Sequence, residues 1–330
     1  MVNPQDILAP IKQDFHVFEH SFEQALQCDQ PVLKDVLQYL LVKRGKQLRP
    51  QLVLLSAKLC RGITDKTIDS AVALELLHTA SLIHDDVVDS SITRRGHEAV
   101  HVRWTNKIAI LVGDFLLARV MQLIANVRNA RITNIVAEMG VSLSSGELLQ
   151  LHSNATMWIS EEQYYRVIEQ KTACLFAACM EAGAESSGST MRQASALREF
   201  GHHLGMCFQI KDDILDYSDS DEIGKPTMGD IRDGKATLPL LIALKRASRE
   251  ECQAIQQIAE DLYHKEPHID TFEAEQEIKS FVLRYDGIRY AYQQMQQHKQ
   301  QAIDALSIFH EASAKNSLLS LLDYSINRLQ

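Results

Sequence analysis

The stretch SAVALELLHTASLIHDDVVDSSITRRG, residues 70–96, decides how the chain folds. From Ser70 to Asp89 apolar residues recur at helical spacing with no glycine or proline, which predicts one long helix ending in carboxylates. Asp85 and Asp89 stand four residues apart and share a face of that helix, while Asp86 is turned about 100° away. Like charges at that spacing repel by roughly 0.2–0.5 kcal/mol in a bare helix, so a cation is expected between them. A short polar step leads to Arg94, Arg95 and Gly96. The arrangement recurs as Asp212-Asp213-Ile214-Leu215-Asp216, at the end of another apolar helical pattern.

Working outward, Ile7, Leu8, Ile11, Phe15, Phe18, Phe22 and Leu26 form one stripe, predicting a helix over 5–27. A second helix is expected from Val32 to Val42. It runs into the basic loop Lys43-Arg44-Gly45-Lys46-Gln47-Leu48-Arg49-Pro50, bracketed by Gly45 and Pro50. Further helices are expected over 52–59, 108–127, 132–151 and 161–182, and from about 192 into the second acidic cluster. The glycine- and charge-rich loop 218–234 precedes a helix at 238–244, and helical spacing returns through Ile288, Tyr292, Met295, Ile303, Leu306 and Phe309. No short repeat, low-complexity linker or composition shift divides the chain. One all-α domain over residues 1–330 is expected, with the two acidic clusters facing each other across its centre.

Composition supports this. The chain is 45% hydrophobic and 23% charged, with only 14 glycines and 7 prolines in 330 residues, which favours long helices over many short strands. A net charge of -9 gives no general nucleic-acid-binding field. The six cysteines form neither a CxxC pair nor a zinc-like quartet, so buried thiols in a reducing cytoplasm are expected. The N-terminus lacks the apolar core of a signal peptide, and no apolar run is expected to approach the ~18 residues a membrane span needs.

Two three-carboxylate clusters point to divalent cations with oxygen ligands, and magnesium suits them because it takes one or two carboxylates and completes its shell with water and phosphate oxygens. Zinc is disfavoured, since only His84 stands beside either cluster. Lys46, Arg49, Arg94, Arg95, Lys171, Lys225 and Lys235 adjoin turns or the acidic helices and read as anion contacts. Acids for metals and bases for two anions describe a site for two diphosphates, one held through metal and one directly. Asp219, Asp221, Gly224 and Asp230 mimic calcium-loop positions 1, 3, 6 and 12, but Ile223 at position 5 and the missing glutamate at 12 argue against calcium.

The motifs GKQLRP (45–50), DDVVDSSITRRG (85–96), GELLQ (146–150), KT (171–172), FQIKDDILD (208–216) and GKPTMGDIRDGKAT (224–237) carry a resemblance. In their order and spacing the sequence resembles the trans-isoprenyl (polyprenyl) diphosphate synthases over nearly its full length. The resemblance implies an all-α isoprenoid synthase fold around a central catalytic cavity, head-to-tail condensation of isopentenyl diphosphate with an allylic diphosphate, and a homodimer. It implies that Asp85, Asp89 and Asp212 bind three Mg²⁺, with Asp86 and Asp216 in support. Arg94, Lys171, Lys225 and Lys235 would contact the allylic diphosphate, with Thr172 and Gln209 nearby. Lys46, Arg49, His78 and Arg95 would hold isopentenyl diphosphate. His78 stands two helical turns before Asp85 on the same face. Gln47 departs from an arginine common in the first motif, and Asn327-Arg328-Leu329-Gln330 lacks the terminal basic pair of some members.

The growing product is expected to run along Leu74, Leu77 and Ala80, with Ser81 beside them. Short-chain members carry aromatic rings just before the acidic motif, whereas Ala80 and Ser81 are small. The rise from Leu74 to Asp85 gives ~16 Å of depth. A C30–C50 product is expected, with octaprenyl-like length favoured. The alternatives are a farnesyl or geranylgeranyl synthase and a class I terpene cyclase, whose second metal motif is usually of an Asn/Ser/Glu type unlike DDILD. A non-catalytic subunit of a heteromeric synthase tends to lose the acidic motifs that this chain keeps.

Overall fold

The computed structural model describes residues 7–327 apart from 44, 46, 219–226 and 268, and only the backbone of 154–156. Lys46, Lys225, the calcium-loop positions Asp219, Asp221, Ile223 and Gly224, and the terminal Arg328-Leu329-Gln330 lie outside the described residues. The described chain is all-α, with one antiparallel pair of two-residue strands, Thr93–Arg94 and His97–Glu98.

The central helix is Asp65–Val88, starting five residues before the expected Ser70. Thr64 caps it: the Thr67 N–H donates to Thr64 Oγ1, and the Thr64 N–H donates to Thr67 Oγ1 at 3.0 Å. Such a reciprocal cap stabilises a helix start by about 1 kcal/mol and turns a polar stretch into its first turn. Ala71 to His78 are all buried, as befits a helix that is apolar on every side. The helix Leu48–Cys60 likewise starts early, with Pro50 in its first turn, where no backbone donor is needed. The expected helix 161–182 is instead Glu161–Ile168, a π-turn Glu169–Ala173 and Cys174–Ser186.

Contacts group the chain into two compact units, 1–140 with 176–201 and 305–320, and 141–175 with 202–304 and 321–330. In the first, the central helix packs along Asn106–Val127 and against Leu48–Cys60 and Lys12–Ala25. Phe18, Leu52, Leu55, Leu74, Leu76 and Leu116 are fully buried there, each side chain contributing about 1.5–3 kcal/mol of apolar transfer. In the second, Arg249–His264 packs on Thr271–Arg284, while Leu238–Arg246 touches both Thr271–Arg284 and Glu161–Ile168.

One expectation needs correction. By length and composition alone, Asn106–Val127 is long and apolar enough to cross a membrane. Asp114 and Arg119 break its apolar run, which is why a search for unbroken runs passes over it. One face of the helix packs along the central helix, and 33% of the apolar window is buried. All six cysteines are free thiols as expected, but only Cys179 and Cys207 are buried; Cys28, Cys60, Cys174 and Cys252 are half-buried.

Candidate active site

In the first unit the central helix releases the chain at Ser90, where φ is +51°. The strands then pair Thr93 with Glu98 and Arg94 with His97. Arg95 and Gly96 form the two-residue connection with φ of +54° and +75°, the signs a type I′ turn demands. A left-handed conformation costs a non-glycine residue about 1–2 kcal/mol, so Arg95 sits at a strained and fixed position. Arg94 Nε donates to Asp86 Oδ1 at 2.8 Å, and its Nη2 reaches the same oxygen. Asp86 is only 4% exposed, whereas Asp85 is half-buried and Asp89 exposed.

A cavity of about 80 Å³ lies here, lined in part by Tyr39, Lys43, Glu75, Asp86, Arg94 and Arg95. His78 is buried, and burial together with Arg49, Arg95 and Arg94 holds its pKa well below the ordinary value, leaving a neutral imidazole. Glu75 is buried one turn earlier; burial raises its carboxyl pKa against the pull of Arg49 and Arg95. Its Oε2 has no hydrogen-bond partner among the described residues. Sequence reasoning missed Glu75, although a lone acid in an apolar stretch one turn before His78 was a usable signal. Arg49 stacks over Phe176 at 5.5 Å from the ring centroid. Of the product-length residues, Leu74, Leu77 and Ala80 are buried, and half-buried Ser81 donates to the His78 carbonyl at 2.9 Å.

In the second unit, the C-terminal end of the helix Met191–Leu215 carries the other cluster. Asp213 is 2% exposed and accepts from Tyr164 OH at 2.5 Å and from Gln209 Nε2 at 2.9 Å. Gln209 Oε1 in turn accepts from Thr172 Oγ1 at 2.8 Å. Burial, chiefly, pushes Asp213 up to about 7; its two hydrogen bonds lower it, while Asp212 and Asp216 raise it. Asp216 accepts from the backbone N–H groups of Gly229 and Asp230 at 3.0 and 3.1 Å, tying down the turn Gly229–Arg232. Asp230 is held well above the carboxylate range by burial and by Asp213 and Asp216. Asp212 is half-buried.

Lys171 and Thr172 sit on the π-turn, a widening of the helix that is common at functional sites. Glu147 of the GELLQ motif holds Lys171, with Oε2 2.7 Å from Nζ. Gly146 makes the approach possible, because a Cβ there would lie 2.9 Å from Gln170 Cβ. Lys235 Nζ donates to Asp233 Oδ2 at 3.3 Å. Tyr164, Lys171, Thr172, Gln209, Asp213 and Lys235 line one cavity of about 180 Å³. Tyr164, Glu147, Asp213 and Asp230 were not among the sequence-predicted site residues. Motif membership hinted at Glu147, Asp213 and Asp230, and nothing in the sequence hinted at Tyr164.

Among the described residues no three His, Cys, Asp or Glu side chains are grouped to cage an ion unaided. What the clusters offer is solvent-accessible carboxylates, Asp85, Asp89 and Asp212, beside buried companions bonded within the protein. That donor set fits magnesium, which needs few protein ligands and draws on water and phosphate oxygens.

The sequence pattern of the family described as polyprenyl synthetase matches residues 30–275. The octaprenyl diphosphate synthase of Haemophilus influenzae is 34% identical over 304 residues, covering 92% of this chain and 90% of that one. A decaprenyl diphosphate synthase from Rhodobacter capsulatus superimposes with a TM-score of 0.90 at 31% identity, covering 98% of each chain. A polyprenyl synthase from Caulobacter crescentus CB15, complexed with calcium and isoprenyl diphosphate, gives 0.89 at 31% identity, covering 99% and 98%.

Proposed function

The chain belongs to the polyprenyl synthetase family as a prenyltransferase of the long-chain type, and we propose that it extends an allylic diphosphate with isopentenyl diphosphate to an all-trans C30–C50 product. Octaprenyl-like length is the favoured reading. The observation that carries the proposal is the cavity where Lys171 and Lys235 meet Thr172 and Gln209 beside the second acidic cluster.

Asp85, Asp89 and Asp212 would hold magnesium, in three ions, which supplies the charge that stabilises the departing diphosphate. Arg94, Lys171, Lys225 and Lys235 would bind that diphosphate's remaining oxygens. Glu147 sets Lys171 in place, and Asp86 does the same for Arg94. Lys46, Arg49 and Arg95 would seat isopentenyl diphosphate, and neutral His78 would donate an N–H to it without adding charge. The isopentenyl double bond attacks the allylic cation, and the released diphosphate takes the proton. Buried Leu74, Leu77 and Ala80 would supply the dry wall along which the product lengthens. A single domain over residues 1–330, a homodimer and a cytoplasmic location complete the proposal.

Incubating the purified protein with farnesyl and isopentenyl diphosphates and Mg²⁺, then weighing the dephosphorylated products, tests it. A ladder ending near C40 is expected; no condensation, or a cyclised hydrocarbon made without isopentenyl diphosphate, would overturn it. Ala80→Phe should shorten the product by one or more isoprene units, read by the same mass analysis.

A further inference from the structure

Tyr164, Asp213, Gln209 and Thr172 form an unbroken hydrogen-bonded chain, and its direction is dictated at one end. The three links are the 2.5 Å bond from Tyr164 to Asp213 Oδ2, the 2.9 Å bond from Gln209 to Asp213 Oδ1, and the 2.8 Å bond from Thr172 to Gln209. A carboxylate only accepts, so Gln209 must turn its NH₂ to Asp213 and its carbonyl to Thr172. Thr172 must then donate its single proton to that carbonyl, leaving only lone pairs for the cavity it lines. A proton shared on the short bond between Tyr164 and Oδ2 leaves Oδ1 an acceptor, and the polarity holds while Oδ1 itself carries no proton. Both Asp213 oxygens are engaged by named partners within the protein.

We propose that Asp213, steadied by Tyr164, is a positioning residue that fixes the polarity of Thr172, presenting an electron-rich oxygen rather than an O–H to the reacting allylic group. This rests on the prenyl-transfer reading above. Positive charge develops on the allyl fragment as diphosphate leaves, and a lone pair aimed at it stabilises that charge where an O–H dipole would oppose it. Turning the Gln209 amide round would set its carbonyl against Asp213 Oδ1, put its NH₂ on Thr172 Oγ1 and aim the Thr172 proton into the cavity.

The test uses the full chain with Tyr164→Phe, the pair Tyr164→Phe/Asp213→Asn, and each combined with Thr172→Val. Asp213→Asn alone has an escape, since the new amide can rest its NH₂ on the Tyr164 oxygen. In the pair that oxygen is gone, so the NH₂ must face Gln209 and reverse the chain. Tyr164→Phe should lower kcat by about 3-fold and the pair by ~10–100-fold, with KM for both diphosphates within about 3-fold, as expected for a group acting through another. In the Thr172→Val background Asp213→Asn should lower kcat no further. An unchanged kcat in the pair, a loss confined to KM, or a full further loss in the Thr172→Val background would overturn the proposal.

Gln209→Glu gives a readout independent of turnover. It sets two carboxyls face to face in the wild type and should lower Tm there by about 2–4 °C. In the Tyr164→Phe/Asp213→Asn background the new carboxylate meets a donor, and the same substitution should raise Tm. Equal shifts in both backgrounds would overturn the polarity. A wild type that makes no prenyl product while this crossover in Tm is seen would sink the functional reading and leave the hydrogen-bond direction standing.

Discussion

The two acidic clusters each end a long helix and each bury their middle aspartate, yet Asp86 is met by the Arg94 guanidinium and Asp213 by the neutral donors of Tyr164 and Gln209. The first arrangement fixes a cation that borders the 80 Å³ cavity of its own unit. The second uses no cation at all, and burial accordingly pushes Asp213 up to about 7. The same pattern of acids thus yields an ion pair in one place and a hydrogen-bonded relay without a cation in the other. Asp85 and Asp89 in the first cluster and Asp212 in the second keep access to solvent.

The comparison breaks first at the accessible acids. Asp85→Ala and Asp212→Ala should each lower turnover with Mg²⁺ by ~10³-fold or more, because on the proposed reading each would remove an ion's protein anchor. Near-normal steady-state rates for either would end the assignment of that cluster. The buried acids should separate by stability. Asp86→Asn breaks an ion pair and should destabilise by about 1–3 kcal/mol, discounted because Arg94 is 40% exposed. Asp213→Asn keeps a hydrogen-bonding amide among neutral partners and should cost less than ~1 kcal/mol. Urea midpoints would show the order, and equal losses would erase the distinction.

The smallest effect is one of pH. Asp213 is raised from 3.8 to about 7, so its contribution is complete below pH 3.8 and is lost as pH rises toward 7. His203 and His298, whose Nδ1 atoms lie 2.9 Å apart, are lowered from 6.5 to about 4 by burial and by neighbouring histidines. Their contribution is present above pH 6.5 and is lost as pH falls toward 4. The two slopes oppose each other between pH 4 and 6.5. Asp213→Asn should therefore make Tm climb more steeply with pH across that window, and His298→Gln should make it climb less.

Much of this was legible in the chain. Helical spacing and the scarcity of breakers specified an all-α fold, and Asp85, Asp89, Asp212, Lys171 and Lys235 stood out by pattern. Helix starts shifted where side chains, not apolar spacing, decide the end, as Thr64 does for the central helix. The π-turn at Glu169–Ala173 escaped because one extra residue per turn leaves no compositional trace. The hairpin escaped because its strands are two residues long, with only Gly96 to announce the turn. Glu147 and Tyr164 act on residues 24 and 49 positions away, Lys171 and Asp213, so their roles exist only once the chain has folded.

Calorimetric binding of an unreactive allylic diphosphate analogue, with and without Mg²⁺, measures whether both clusters serve one diphosphate. The wild type should bind it far more tightly with Mg²⁺, and Asp85→Ala and Asp212→Ala should each abolish that gain. Full Mg²⁺-linked binding in either variant would contradict the account.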